Sequence, residues 1–232
     1  MNHDSSYCAE TVRRLDANRY IAALFAPEPA RGDLFALYAF NLALATVREQ
    51  VKEPLVGLMR FQWWRETIDD LYRGGSRETP VARALKAAIG RRSLTRALFD
   101  TLIDARERDV ADPPADLAAT IAYAEATGGA LATLAVEILG AAEARDAAHH
   151  GGAGWALTGL ARAGLVPAAL AGAVADEARR RIATARALPV PRAALPALVQ
   201  LAVADVYLAR GREPSRLDAQ LRIAANALRG RF

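Results

Sequence analysis

The amino-acid sequence predicts an all-α fold, and three observations support this class. Ala, Leu and Arg dominate the composition, and all three are strong helix formers. β-Branched runs are scarce, and no segment alternates convincingly between apolar and polar residues as a half-buried strand would. Apolar residues recur instead at helical spacing. Because 53% of the 232 residues are hydrophobic, the chain can bury a large core.

The N-terminal third is predicted to form three helices. The first covers residues 7–25 and ends at the sequence APEPARG, whose two prolines interrupt helical geometry. Asp33 is predicted to cap the second helix, in which leucines and Tyr38 recur at helical spacing. The third covers about residues 55–72 and ends at two glycines.

Proline and glycine divide the rest of the chain in the same way. A short helix is predicted after Pro80, and another after Ser93. The long apolar helix at 115–139 is expected to loosen at Gly128 and Gly129. The remaining predicted helices cover residues 143–163, 168–188, 193–210 and 215–229.

Short linkers favour a single domain over residues 1–232, with residues 1–6 expected to be flexible. The start, MNHDSSYCAE, resembles neither a signal peptide nor a transit peptide. The most apolar run, AALPALVQLAVADVYLA, is interrupted by Gln200 and Asp205 and is better explained as a core helix than as a membrane span. We therefore expect a cytoplasmic protein, with peripheral contact at the inner membrane left open.

Charge is unevenly distributed along the chain. The net charge is +4, yet the segment from Asp176 to Phe232 carries eleven Arg and five acidic residues, a net of +6. Such a basic segment favours an acidic partner, an anionic membrane surface or a phosphate-bearing ligand. An Arg-rich composition on solvated helix faces would explain it equally well. We expect no nucleic acid among the partners.

Cysteine and histidine offer little chemistry. Cys8 is the one cysteine, which excludes an internal disulfide, a zinc site of cysteines and an iron–sulfur cluster. His149 and His150 are adjacent, so on a helix they point about 100° apart and cannot share one metal. The segment GGAGWALTG follows a helical pattern and is therefore neither a dinucleotide fingerprint nor a P-loop.

Carboxylates are stronger candidates for a metal site. Asp100 and Asp104 are four residues apart on one helical face, and Asp69 and Asp70 follow Glu66 by three and four residues. Either group could supply part of a Mg²⁺ shell, since Mg²⁺ commonly takes one or two carboxylates beside waters and phosphates. Neighbouring arginines make a solvated, ion-paired face the more common explanation.

Several segments, in order, resemble the squalene/phytoene synthase family. These are DANRYIAALFAPEPARGDLFALYAFN, RFQWWRETIDDLYRGGSRETPVARAL, LIDARERDV, DLAATIAYAEATGGALATLAVEILG and GAGWALTGLARA. Each motif is moderately specific, and their common order and spacing make the resemblance strong. It implies an all-α isoprenoid-synthase-like helical bundle, here shortened in its C-terminal half.

The resemblance also implies a chemistry for which this sequence lacks residues. Family enzymes join two prenyl diphosphates, using Mg²⁺ held between two Asp-rich motifs. The aspartates of the first motif match Ala45, Thr46 and Glu49 here, so Glu49 alone could bind a metal. Arg162 matches the Arg that precedes the second motif, but no acid follows it until Asp176. The segment YAFNLALATVREQVKEPLVGLMRFQWWRETIDDLY is closest to a non-catalytic branch of the family that supports assembly of respiratory complex I.

The leading hypothesis is therefore a pseudoenzyme that acts by binding. The partners we expect are respiratory-complex subunits or assembly proteins. A prenyltransferase with an altered metal site, which would need Mg²⁺, and a prenyl- or lipid-binding module are the alternatives. The resemblance implies three groups of site residues. A remnant cavity would be lined by Tyr38, Phe40, Asn41, Ala45, Thr46, Trp63, Trp64 and Trp155; metal ligands would come from Glu49, Asp100, Asp104 and Asp109; a diphosphate would meet Arg19, Arg31 and Arg162.

Overall fold

A computed structural model describes residues 3–50, 53–111 and 113–232, and within them it contains thirteen α-helices and no strand. The predicted all-α class is therefore confirmed. The helices are α1 (His3–Leu15), α2 (Ala17–Ala23), α3 (Glu28–Ala45), α4 (Val47–Gln50), α5 (Pro54–Tyr72), α6 (Pro80–Arg91), α7 (Arg96–Ala111), α8 (Leu117–Ala124), α9 (Ala130–Ile138), α10 (Arg145–Arg162), α11 (Ala171–Ala187), α12 (Leu201–Arg210) and α13 (Arg216–Arg229).

The predicted first helix is in fact two helices that meet at Asp16. The Asp16 side chain accepts a hydrogen bond from the backbone N–H of Arg19 at 3.1 Å, which caps α2. It also pairs with the Arg19 guanidinium at 2.7 Å. α1 begins at His3, so residues 3–6, expected to be flexible, lie in a helix, and residues 1 and 2 fall outside the described part.

The prediction that Asp33 caps the second helix is wrong. α3 begins five residues earlier, at Glu28, with a proline in its first turn where the missing N–H costs nothing. Asp33 is fully buried inside α3 and pairs with Arg91 and Arg92 at the end of α6. The sequence pattern could not separate these roles because the carboxylate's partners lie nearly sixty residues away.

The predicted loosening at Gly128 and Gly129 is confirmed as a turn of π-helix over Glu125–Gly129, between α8 and α9. Gly128 packs directly on Gly152 of α10. A Cβ added to Gly128 would lie 2.2 Å from the Gly152 carbonyl oxygen, and one added to Gly152 would lie 2.1 Å from that of Gly128. Two backbones can approach this closely because neither residue carries a side chain.

The last helices pack around α10. α10 lies against α11 and α12, and α13 packs on α2 and α12. The predicted helix at 193–210 is divided: Arg192–Ala197 forms a 3₁₀ turn that contains Pro196, and α12 begins at Leu201. Among the residues that the structure describes, no helix combines the length and apolarity needed to span a membrane.

Candidate functional site

A cavity of about 500 Å³ lies where α2, α10, α12 and the start of α13 meet. Four arginines line it, together with the aromatic side chains of α10 and α12 and two carboxylates. These residues are Arg14, Arg19, Arg162, Arg216, Trp155, Tyr207, Asp16 and Glu213. With four cationic and two anionic side chains, the lining has a net charge of +2.

Arg19 joins this cavity to the protein core. Asp16 fixes its guanidinium from one side, and the side chain is only 12% exposed. The guanidinium carbon lies 5.7 Å from the ring centre of Tyr38 and 5.9 Å from that of Trp155, which are cation–π distances. Burial raises the pKa of the Tyr38 phenol to about 12, so this ring faces Arg19 as a neutral group.

The other arginines differ in how they are partnered. Arg162 pairs with Glu213 at 2.6 Å, and Arg19 pairs with Asp16. Arg14 and Arg216 are exposed and form no ion pair with any described residue. The positive charge of the cavity therefore resides on Arg14 and Arg216, which are free to bind an anion. Trp155 and Tyr207 offer apolar surface to the rest of such a ligand.

Most of the residues predicted to line a remnant cavity lie elsewhere. Trp155 lines the cavity described above, whereas Tyr38, Phe40, Asn41 and Trp64 are buried in the core. The core aromatics pack edge to face, with ring centres 5.0 Å apart for Phe40 and Trp64. Trp63 is half-buried, and its ring centre lies 4.8 Å from that of Trp64. Ala45 and Thr46 are partly exposed at the end of α3.

Three of the four candidate metal ligands lie beside arginines. Asp104 pairs with Arg65 at 2.8 Å, Asp109 with Arg48 at 3.2 Å, and Asp100 lies 3.7 Å from Arg96. Glu49 is exposed on α4. The second acidic group is also ion-paired, since Asp70 contacts Arg77 and Asp69 contacts Arg96.

At the family's first metal motif, the donor set does not fit Mg²⁺. Ala45 has no donor atom, and the Thr46 hydroxyl donates to the Leu42 carbonyl at 2.9 Å. Within the described ranges, no group of three or more His, Cys, Asp or Glu side chains is placed to hold a metal ion. Glu49 is thus the single carboxylate at positions where three aspartates are expected.

Of the three predicted diphosphate residues, two reach the cavity. Arg19 and Arg162 line it, whereas Arg31 donates to the Ala26 carbonyl at 3.1 Å and lies outside it. Sequence reasoning missed Arg14 and Arg216. One signal for Arg216 was present: it follows the capping Ser215, at the helix N-terminus where a cation is unfavourable.

Cys8 and the two histidines form no catalytic arrangement. Cys8 is fully buried, and burial raises the pKa of its thiol to about 12, which keeps the sulfur protonated and unreactive. His149 lies against Gly129 of the π turn, and burial lowers the pKa of its imidazole. Its ring centre is 6.1 Å from that of His150, whose Nδ1 lies 3.3 Å from Arg181. Cys8 thus belongs to the buried side of α1, and the two histidines lie on α10.

Comparison with known sequences places these features in context. A sequence model described as squalene/phytoene synthase matches residues 12–166. NADH dehydrogenase (ubiquinone) complex I, assembly factor 6, is 38% identical in Bos taurus and 37% in Homo sapiens over 147 residues, 62% of this chain. Those residues make up 44% of either relative, so the match spans less than half of their length. Presqualene diphosphate synthase of Rhodopseudomonas palustris is 30% identical over 152 residues, 64% of this chain and 54% of that protein.

Solved structures share the fold. A dehydrosqualene synthase superposes with a TM-score of 0.74 at 14% identity, over 96% of this chain and 95% of the other. A squalene synthase from Alicyclobacillus acidocaldarius superposes with a TM-score of 0.66 at 18% identity, over 99% and 95%. The expected isoprenoid-synthase-like helical architecture is thereby confirmed.

Proposed function

We propose that this chain, which belongs to the squalene/phytoene synthase family, assists assembly of respiratory complex I by binding rather than by prenyl transfer. The expected partners are respiratory-complex subunits or other assembly proteins. The protein would work in the cytoplasm, at the surface of the inner membrane where such a complex is built.

The observation that carries this proposal is the donor set at the first metal motif. Ala45 and Thr46 stand where two aspartates are expected, and the carboxylates nearby are held by arginines. Two charges about 4 Å apart attract by ~4 kcal/mol at an effective dielectric constant of ~20. Since ~1.4 kcal/mol corresponds to tenfold in rate, losing several such contacts would slow diphosphate ionisation by many orders of magnitude.

The names of the relatives also support a role in assembly. Both mammalian proteins, at 38% and 37% identity, carry the name of a complex I assembly factor, whereas the named synthase is 30% identical. Residues 12–166, which match the squalene/phytoene synthase sequence model, include the helices that hold Trp63, Trp64 and the residues at the end of α3.

The cavity lined by Arg14, Arg19, Arg162 and Arg216 supports a binding function. Its net charge and its two aromatic side chains suit an amphiphile with an anionic head, such as a prenyl diphosphate or a lipid phosphate. Two of its cations are unpaired with described residues, so an anion can bind there without a metal bridge. A binding module for prenyl or lipid ligands is therefore compatible with the assembly role.

A deletion strain tests the assembly role. In a strain lacking the gene, we expect a clear fall in the NADH dehydrogenase activity of complex I and in the amount of assembled complex on native gels. The wild-type gene should restore both, and succinate dehydrogenase activity should remain unchanged as a control. A strain with normal complex I would overturn the proposal.

The alternative function is that of a prenyltransferase with an altered metal site, and the relative named presqualene diphosphate synthase favours it. It would have to use Glu49 with Asp100, Asp104 or Asp109, after breaking their arginine pairs. Formation of a coupled product from farnesyl or geranylgeranyl diphosphate and Mg²⁺ would establish this alternative in place of the assembly role.

A further inference from the structure

The C-terminal helix α13 presents leucines to solvent. Leu217, Leu221 and Leu228 are 65%, 60% and 78% exposed. At 100° per residue they lie within about 40° of one another on the helix circumference, so they form one ridge. Ala219 and Ile223 lie on the opposite side and are buried against the body of the protein. α13 is therefore apolar on two faces, and the core covers one of them.

Unpaired arginines surround the leucine ridge. Arg210 and Arg212 precede α13, Arg216 lies in its first turn, and Arg229 and Arg231 lie at its end. All five are exposed and make no ion pair with the described residues. The acidic residues of this segment are already neutralised, because Asp218 pairs with Arg222 and Glu213 with Arg162. The segment around the ridge thus carries a net positive charge.

We propose that the leucine ridge of α13, with its surrounding arginines, docks the protein on an anionic lipid surface. Leucines on one face of an amphipathic helix enter the boundary between headgroups and acyl chains, while arginines meet the anionic headgroups. α13 has 14 residues and is about 21 Å long, too short to span a bilayer, so it lies in the plane of the surface.

The positive charge around the leucine ridge favours an anionic lipid surface over a second copy of this chain as its partner. A two-fold dimer through the ridge would bring the arginines of both copies together, and no free carboxylate of the segment is available to offset them. An anionic bilayer supplies the complementary charge over the whole area. This docking surface shares Arg216 with the cavity, whereas its three leucines and its other four arginines lie outside the cavity lining. The proposal does not depend on the role in assembly.

Vesicle flotation of the full chain tests the proposal. We expect binding to vesicles of phosphatidylcholine and phosphatidylglycerol, weak binding to phosphatidylcholine alone, and release by salt. The variant Leu217→Gln/Leu221→Gln/Leu228→Gln should bind anionic vesicles at least about tenfold more weakly. The variant Arg229→Gln/Arg231→Gln should bind more weakly and show a shallower dependence on salt.

Leu55→Gln/Met59→Gln is the matched control, since these side chains are 67% and 64% exposed on α5. It should bind anionic vesicles as the wild type does, and circular dichroism should show equal helix content in all variants. The proposal fails if the wild type floats with neither kind of vesicle, or if the α5 control loses as much binding as the leucine variant. It fails too if the protein ignores vesicles but binds an acidic polypeptide such as polyglutamate.

Discussion

Replacing Gly152 with alanine is expected to destabilise the fold by roughly 3 kcal/mol or more, since overpacking a tight site costs about 1–3 kcal/mol and sometimes exceeds it. The new Cβ would lie 2.1 Å from the Gly128 carbonyl oxygen and 2.7 Å from the Ala132 Cβ. Backbone cannot swing aside as a side-chain tip can, so α10 must move away from the π turn. For a chain of this size the melting temperature should fall by roughly 6–12 °C.

Gly159 offers a control on the same helix. A Cβ added there meets no atom within 4 Å. Gly159→Ala should therefore leave stability unchanged or raise it by about 0.5–1 kcal/mol, because alanine loses less backbone entropy in a helix. Thermal and urea unfolding of both variants measure the difference. Equal stabilities for Gly152→Ala and Gly159→Ala would contradict the close approach of α10 to the π turn.

The variant Arg14→Gln/Arg216→Gln should bind inorganic diphosphate at least about tenfold more weakly than the wild type, since each charge-assisted hydrogen bond contributes about 1.5–3 kcal/mol. These side chains are the cavity's cations without a carboxylate partner among the described residues. Removing them should leave the Asp16–Arg19 and Arg162–Glu213 pairs intact, so the fold should persist. Isothermal titration calorimetry at about 0.1 M salt gives the two affinities.

Arg229→Gln/Arg231→Gln removes the same charge from outside the cavity. Its affinity for diphosphate should stay within about twofold of the wild type, because surface charges beyond a Debye length of about 10 Å at 0.1 M salt are screened. If this variant weakens binding as much as Arg14→Gln/Arg216→Gln, then the anion binds to the general positive charge of the surface and not to the cavity.

The sequence was sufficient for the elements that local chemistry determines. Proline marks the starts of α5 and α6, glycine follows the end of α5, and Gly128 with Gly129 mark the irregular turn between α8 and α9. These features depend on backbone restrictions that act within a few residues. Of the three arginines predicted to contact a diphosphate, Arg19 and Arg162 line the same cavity.

Features that depend on residues far apart in the chain could not be predicted from the sequence. Asp33 looks like a cap because Asp is a good cap, yet its buried carboxylate pairs with arginines at the end of α6. The cavity depends on how the start of α13 packs beside α2 and α10, and only that packing gives Arg14 and Arg216 a shared role. Helical periodicity shows which side of a helix is apolar but does not identify what covers it.

Binding without a metal clamp is the central claim, and thermal unfolding with farnesyl diphosphate, with and without Mg²⁺, tests it most directly. At about 100 times the dissociation constant, the ligand should stabilise the protein by ~2.7 kcal/mol. We predict the same rise in melting temperature in the presence of Mg²⁺ and of a chelator. A rise that requires Mg²⁺ would contradict the claim, because it would show that the carboxylates still form a metal–diphosphate site.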